Sequence, residues 1–361
     1  MLTLLTFLGC NRAVQTLDNL VTVTDTETSA DGIADFTVKV EEGQSAFLFS
    51  ASASDSLLAV EQVIDPDGNV VLTWEDWYYG AESLTYAIFA EGRDVALNWP
   101  IRAVEGDLQE GKYTVRVGTY KGNLGYESGI DVNATTQLKT DRSFDDGEIH
   151  VQLMYADGVG SSSGVVAATE EAVGLWADIF ANIGITLTVE YADSTIDATL
   201  DYPGYDTDGA LGDAAAEGSD YDITVIVGET IDGSMGYYGV SGGIPGTLVA
   251  GSRAVVVMSW LTHAGSDGEF SAQDIEIYGG TFAHEVGHYV GLFHVVETDY
   301  AAWDALSDTP SCSNWQDCEA DLGPNLMYPT SVCNSSWTEC ISQIDLTDGQ
   351  SGVIHRYTGT L

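Results

Sequence analysis

Alternating apolar and polar residues dominate the first part of the chain. Residues 36–40 and 113–117 follow this pattern, which is typical of strands with one buried face. An Asp-Pro-Asp-Gly turn at residues 65–68 separates two further apolar runs and predicts a β-hairpin. Because no helical periodicity interrupts these strands, we predict an all-β sandwich domain over residues 18–140.

The periodicity changes after a polar segment at residues 141–147, which we predict to be a linker. Residues 149–153 alternate as a strand, and apolar residues then recur at helical spacing over residues 166–183. Further strands are predicted at residues 185–189, 223–227 and 254–258. Strands and helices in this order predict an α+β domain over residues 148–361.

The most specific chemistry lies in the eleven residues from His284 to His294. His284 and His288 are four residues apart, so on a helix they project from one face and can share a metal ion. Glu285 lies beside them, where a general base is needed. Gly291 can adopt a left-handed conformation that ends the helix, which allows His294 to return as a third ligand.

Three imidazole ligands leave one zinc position open, which is typical of catalytic rather than structural zinc. The alternative is a surface helix that happens to carry histidines. Of the other histidines, His150 starts a strand, His263 lies in a polar loop and His355 is near the end of the sequence. We expect these three to be surface or hydrogen-bonded residues rather than ligands.

The motif resembles the metzincin metallopeptidases, in which it is followed by a methionine turn. Residues 325–329, Asn-Leu-Met-Tyr-Pro, are similar to that turn. The resemblance implies that Met327 forms a hydrophobic floor beneath the zinc. It also implies a catalytic domain with a twisted mixed sheet and a zinc-binding helix, in which an edge strand pairs with the substrate backbone. The preceding strands are similar to the pre-peptidase β-sandwich domains of secreted bacterial peptidases.

The motifs leave two metzincin subfamilies open. Residues 307–310, Ser-Asp-Thr-Pro, are similar to a segment of the pappalysins, whereas residues 326–329 are closer to the matrixins. Pappalysins usually carry a tyrosine where this chain has Pro329. A tyrosine that contacts the transition state therefore cannot be transferred, and we expect Tyr328 to point elsewhere.

The charge of the chain narrows the classes of partner. Among 361 residues, 56 are acidic and 11 are basic, which gives a net charge of −45. This argues against nucleic acids and anionic membrane surfaces, because both require basic patches. Calcium is one use for so many carboxylates, and Asp206, Asp208 and Asp213 are candidate ligands. The alternative for that segment is a solvated loop.

Four cysteines near the methionine turn favour two disulfides and therefore an exported protein. They are Cys312, Cys318, Cys333 and Cys340. Three pairings are open, of which Cys312–Cys318 and Cys333–Cys340 join the nearest neighbours in the sequence. A second zinc site is the alternative.

Cys10 follows a short apolar run and resembles the acylated cysteine of bacterial lipoproteins. Residues 1–17 would then be a signal and lipidation segment, although no Lys or Arg precedes the apolar run, as a signal peptide requires. The prediction is a monomer attached to the bacterial surface or periplasmic membrane through a lipid on Cys10, or else secreted.

Together these features predict an exported zinc endopeptidase that acts on protein or peptide substrates, with Glu285 as its general base. The alternative is a surface-anchored binding protein with a vestigial metallopeptidase fold. A surface-layer protein is a third interpretation, drawn from the acidity alone.

Overall fold

The structure is a computed structural model of the chain. It describes residues 5–6, 13–17, 20–54, 56–73, 82–85, 94–122, 125–141, 144–201, 216–219, 222–252, 255–265, 267–334 and 339–361. The predicted lipidation residue Cys10 and the candidate calcium ligands Asp206, Asp208 and Asp213 lie outside these ranges.

The first part of the chain forms two antiparallel sheets. One has the strand order β1-β2-β3-β12-β5-β9, and in the other β10 pairs with β4, β6 and β11, and β7 pairs with β6. The strands of the first sheet are β1 Leu5–Thr6, β2 Ala13–Leu17, β3 Leu20–Thr28, β5 Ala46–Ser52, β9 Asp94–Trp99 and β12 Asp131–Lys139. Those of the second are β4 Ile33–Val40, β6 Leu57–Ile64, β7 Val70–Thr73, β10 Gly111–Lys121 and β11 Gly125–Tyr126.

The two sheets pack against each other through the side chains that alternate residues bury between them. In β4, every second residue from Ala34 to Val40 is buried, because successive side chains point to opposite faces of a strand. Phe36 of one sheet lies 5.5 Å from Phe49 of the other, measured between ring centroids. The predicted hairpin is confirmed, since β6 and β7 pair on either side of residues 65–68.

A mixed sheet follows, in the order β14-β13-β16-β19-β18. Its strands are β13 Gly147–Tyr155, β14 Ile185–Asp193, β16 Ile223–Gly228, β18 Gly239–Ser241 and β19 Val256–Ser259. The pairs between β13, β14, β16 and β19 are parallel, and β18 is antiparallel to β19. Every residue of β16 is buried, as expected for a central parallel strand that is covered on both faces. Thus the α+β composition with a mixed sheet is confirmed.

The sheet is accompanied by helices. Within the described residues these are α1 Ser163–Ala181, α2 Trp260–Ala264, α3 Ala272–Tyr289, α4 Trp315–Leu322 and α5 Asp348–Arg356. Helices α1 and α3 pack together through Trp176 and Phe282, whose nearly parallel rings have centroids 6.0 Å apart. None of the described helices is long and apolar enough to cross a membrane.

Buried polar contacts join the first two sheets to the rest of the chain. Asn98 of β9 donates to the carbonyl of Arg356 at 2.8 Å and accepts from the N–H and hydroxyl of Thr358, each at 2.8 Å. Lys139 donates to the carbonyl of His355 at 3.2 Å. Two short parallel strand pairs complete the fold: β8 Glu82–Ser83 with β20 Trp303–Asp304, and β15 Thr199–Leu200 with β17 Thr230–Ile231.

Candidate metal centre

Helix α3 has a defined start and a defined end. At its start, Ser271 accepts from the N–H of Asp274, and Asp274 accepts from the N–H of Ser271, which forms a capping box. At its end, Gly291 has a φ of 112°, a conformation that favours glycine. The N–H of Gly291 donates to the backbone carbonyl of His288, and the N–H of Leu292 donates to that of Gly287. This Schellman turn reverses the chain directly after the second histidine.

The turn brings the three histidines of the motif together. One ring nitrogen from each of His284, His288 and His294 lies within 4.8 Å of the others. The Nε2 atoms of His288 and His294 are 3.1 Å apart. The described residues therefore include a cluster that can bind a metal ion.

Each imidazole is oriented by a partner at its Nδ1 atom. His284 contacts the carbonyl of Leu326 at 2.7 Å, and His288 contacts that of Leu292 at 2.7 Å. His294 contacts the carboxylate of Glu297 at 3.2 Å. Because these oxygens accept hydrogen bonds, each Nδ1 acts as the donor, and in the neutral imidazole the Nε2 atom then presents a lone pair.

Three converging imidazole lone pairs are a typical donor set for a metal cation. Two Nε2 atoms that both act as acceptors cannot hydrogen-bond to each other across 3.1 Å. Burial lowers the pKa of His284 to about 3 and that of His288 well below its usual value, so these two rings are held neutral. The neighbouring imidazoles lower both pKa values further. The donor set therefore fits a metal ion such as zinc.

Glu285 lies beside this cluster and is 8 % exposed. Burial raises the pKa of its carboxyl to about 8, although a hydrogen bond from the N–H of Ser241 opposes the shift. Ser241 belongs to β18, the antiparallel edge strand. The sequence patterns did not locate the edge strand, and of the two strands in this region β18 lies at the edge of the sheet and β19 is an inner strand. The short, glycine-containing β18 shows no alternation that could have identified it.

Met327 lies against α3. An ideal Cβ atom at Gly287 would be 2.8 Å from the Met327 sulfur, so any larger residue there would have to displace the Met327 side chain. The carbonyl of Met327 accepts from the N–H of Val295 at 3.1 Å, directly after the third histidine. The backbone of residues 326–327 thus contacts both ends of the histidine motif.

A buried amide pair, which the sequence analysis did not identify, supports this backbone. Asn325 and Gln350 exchange two side-chain hydrogen bonds of 2.9 and 3.1 Å. Asn325 also accepts from the N–H of Met327 at 2.8 Å. Through Leu326, the pair helps to position the carbonyl that orients His284. The carboxamide side chains are visible in the sequence, but their pairing across 25 residues is not.

A cleft of about 130 Å³ opens beside Glu285 and His284, between α3 and the segments at residues 326–331 and 340–344. Tyr328 is among the residues that line this cleft, and its side chain hydrogen-bonds to Tyr300. Burial raises the pKa of Tyr328 to about 12.

The four clustered cysteines form the disulfides Cys312–Cys318 and Cys333–Cys340. These are the pairs that join nearest neighbours in the sequence. No cysteine is therefore left among them for the alternative second zinc site.

The remaining histidines lie apart from the cluster. His150 is exposed on β13, and His355 is buried with its Nε2 atom 2.7 Å from the carbonyl of Ile183. His263 was expected in a polar loop, but it lies on α2 and is buried. Its ring contacts the carbonyl of Ser259 and the hydroxyl of Thr281, so hydrogen bonds compensate its burial.

No family model matches the chain. An extracellular metalloprotease of the fungus Podospora anserina is 29% identical over 136 residues, which cover 37% of this chain and 44% of that protein. The chain thus matches less than half the length of this relative.

Two solved structures show limited similarity. Metalloproteinase-II from Bacteroides fragilis is 13% identical and has a TM-score of 0.29, with coverage of 47% of this chain and 56% of that chain. Protein YXIM from Bacillus subtilis is 11% identical and has a TM-score of 0.17, with coverage of 60% and 55%. At these TM-scores neither structure defines the fold of this chain.

Proposed function

We propose that this chain is an exported zinc endopeptidase of the metzincin type, which hydrolyses peptide bonds in protein or peptide substrates. The observation that carries the proposal is the meeting of three imidazoles, each already engaged at Nδ1, beside a buried carboxyl. Sequence similarity to an extracellular metalloprotease supports the same reaction class.

His284, His288 and His294 would hold zinc through their Nε2 atoms. When bound, zinc supplies Lewis acidity, which polarises a substrate carbonyl and lowers the pKa of water toward about 7. The three Nδ1 partners hold the rings in the tautomer that donates a lone pair, so the ligands do not have to rearrange.

Glu285 would act as the general base. It would take a proton from the attacking water and then give it to the leaving amine. Burial raises the pKa of its carboxyl to about 8, which makes the carboxylate a stronger base than an ordinary glutamate. The N–H of Ser241 orients the carboxyl toward the side of the cleft where β18 lies.

The edge strand β18 would align the substrate. One of its edges pairs with β19, and the other has no neighbour within the described sheet. An extended peptide can add to such an edge through backbone hydrogen bonds, independent of its side chains. In this proposal Met327 forms the floor of the metal site.

Two disulfides support an exported protein, because such bonds persist in oxidising compartments. Attachment through a lipid on Cys10 and calcium binding by Asp206, Asp208 and Asp213 stay predictions from the sequence. A binding protein with a vestigial metallopeptidase fold, the alternative function, would tolerate loss of a ligand or of Glu285. The chain retains all four residues, and this favours the enzyme.

The proposal is tested by measuring zinc content together with cleavage of unfolded casein. We expect bound zinc, cleavage that stops after chelation, and recovery when zinc is returned. Cleavage that persists after complete removal of metal would contradict a zinc mechanism. Stoichiometric zinc without cleavage of any unfolded protein would support the binding-protein alternative.

A further inference from the structure

One wall of the cleft beside Glu285 includes Cys340 and Ile341, which belong to two antiparallel segments, residues 332–334 and 339–341, that we call the rim hairpin. Its two arms are joined by the Cys333–Cys340 bond. Backbone hydrogen bonds from Ile341 to Val332 at 2.8 Å and from Asn334 to Glu339 at 2.9 Å also join them. The disulfide therefore sets the spacing of the arms within the described part of the hairpin.

The rim hairpin is fastened to the opposite wall of the cleft. The side-chain amide of Gln273, near the start of α3, donates to the Cys340 sulfur at 2.9 Å. Just beyond the hairpin, the side-chain amide of Gln343 donates to the carbonyl of Thr330 at 3.1 Å. The bonded sulfur is thus part of the cleft wall, which it lines together with Glu285.

The chemistry of the cleft indicates what it binds. Ile341 and Ile344 line the cleft and are 43% and 42% exposed. Covering such large aliphatic side chains lowers the free energy, because apolar surface is removed from water. Ile277 and Leu326 line the cleft as well. Among its described lining residues there is no Lys or Arg, and Glu276 and Glu285 are the acidic ones. An apolar side chain is therefore favoured and an acidic one is repelled.

We propose that the Cys333–Cys340 disulfide is a specificity-determining element, which fixes Ile341 and Ile344 as the wall of a pocket for a large apolar substrate side chain next to the scissile bond. This inference rests on the proposed peptidase function, because the cleft is continuous with Glu285 and His284. Without the disulfide the arms can separate, and the pocket loses its shape while the metal ligands stay in place.

The chain supplies a matched control in its second disulfide. Cys312 and Cys318 are 6 residues apart and Cys333 and Cys340 are 7 apart, so the two bonds constrain the unfolded chain to a similar degree. Neither Cys312 nor Cys318 lines the cleft. A difference between the two double variants therefore reports the local role of the rim hairpin rather than a general loss of stability.

The test compares the wild type, Cys333→Ser/Cys340→Ser and Cys312→Ser/Cys318→Ser. Peptides that carry Leu, Ala or Glu next to the scissile bond are cleaved, and zinc content is measured in parallel. We expect the wild type to favour Leu over Ala by at least about 10-fold and to cleave the Glu peptide least. Loss of Cys333–Cys340 should reduce the Leu preference below about threefold with zinc content unchanged, whereas loss of Cys312–Cys318 should leave the preference intact.

A second variant, Ile341→Ser, keeps the disulfide and removes part of the apolar wall. It should lower the Leu preference in the same direction, which tests the pocket even if the cysteine variant folds poorly. An unchanged preference in both rim variants, or an equal change in the control, would overturn the inference and leave the peptidase function intact. Absence of cleavage by the wild type would overturn both.

Discussion

The first two sheets and the region around α3 each bury one glutamate, and the surroundings of the two carboxyls differ. Glu61 on β6 is 9% exposed and Glu285 is 8% exposed. Burial raises the pKa of both. Glu61 accepts hydrogen bonds from the hydroxyls of Tyr120 and Tyr126. The difference therefore lies in the neighbours and not in the degree of burial.

Glu61 has the surroundings of a structural carboxyl, whereas Glu285 has those of a carboxyl at a candidate metal site. Two phenol donors satisfy Glu61, so its burial is compensated within its own sheet. Glu285 instead lies beside imidazoles that present lone pairs, a surrounding that is stabilised by a cation. A buried acidic residue marks a site when its neighbours also require a ligand.

The largest expected effect is the loss of peptide cleavage when the Glu285 carboxyl is removed, with the Glu61 carboxyl as the comparison. Glu285→Gln should lower peptide cleavage by about 10²–10⁴-fold, because a general base is lost, and should keep zinc content unchanged. Glu61→Gln, the matched control, should leave cleavage near the wild-type rate. Equal losses in the two variants, measured as kcat/KM with one peptide, would remove the distinction between the regions.

The second largest expected effect is the loss of zinc affinity when a histidine of the cluster is removed. His294→Ala should weaken zinc binding by more than the roughly 10–100-fold that loss of a supporting group costs, because a direct ligand is removed. His150→Ala alters an exposed histidine of β13 and should not change the affinity. Competition with a chelator measures both. An unchanged affinity for His294→Ala would exclude this residue as a ligand.

A smaller effect tests whether the two regions unfold together. Asn98→Ala removes a buried side chain that bonds to Arg356 and Thr358, and should lower the free energy of unfolding by about 1–3 kcal/mol. Asn133→Ala, on the exposed side of β12, should have little effect. Urea unfolding should show a single transition in both variants. Two separate transitions in the wild type would mean that the regions are independent.

The smallest effect is a pH dependence in the metal-free protein. Because the folded pKa of Glu285 is raised to about 8, the folded state keeps a proton that the unfolded state releases. The free energy of unfolding should therefore fall with rising pH, by about 1 kcal/mol between pH 7 and 8. Glu285→Gln should abolish this fall.

Two other buried groups titrate in the same window with opposite signs. The raised pKa of Asp304, about 7, makes the free energy of unfolding fall with rising pH, and the lowered pKa of Lys139, about 8, makes it rise, so the difference between wild type and Glu285→Gln isolates Glu285. The lowered pKa of His284, about 3, acts below its ordinary value of 6.5. Urea titrations in the presence of chelator measure the slope. A slope that is equal in wild type and variant would show that Glu285 is not the titrating group.

Local patterns were sufficient for much of the architecture. Alternation identified β4 and β10, and the turn at residues 65–68 identified the hairpin, because both depend on neighbours in the sequence. They were not sufficient for β18, which has three residues and no alternation. The buried environment of His263 also escaped prediction, because it depends on the distant Thr281 and Tyr238.

The sequence by itself determined the candidate metal ligands, the proposed general base and the glycine that ends α3, because their spacing follows from helix geometry. Only the tertiary structure decided what makes them a site. The carbonyl of Leu326 reaches His284 across 42 residues, and the N–H of Ser241 reaches Glu285 from an edge strand. Every residue other than proline carries these backbone groups, so no pattern of side chains specifies which of them will meet a histidine or a carboxyl.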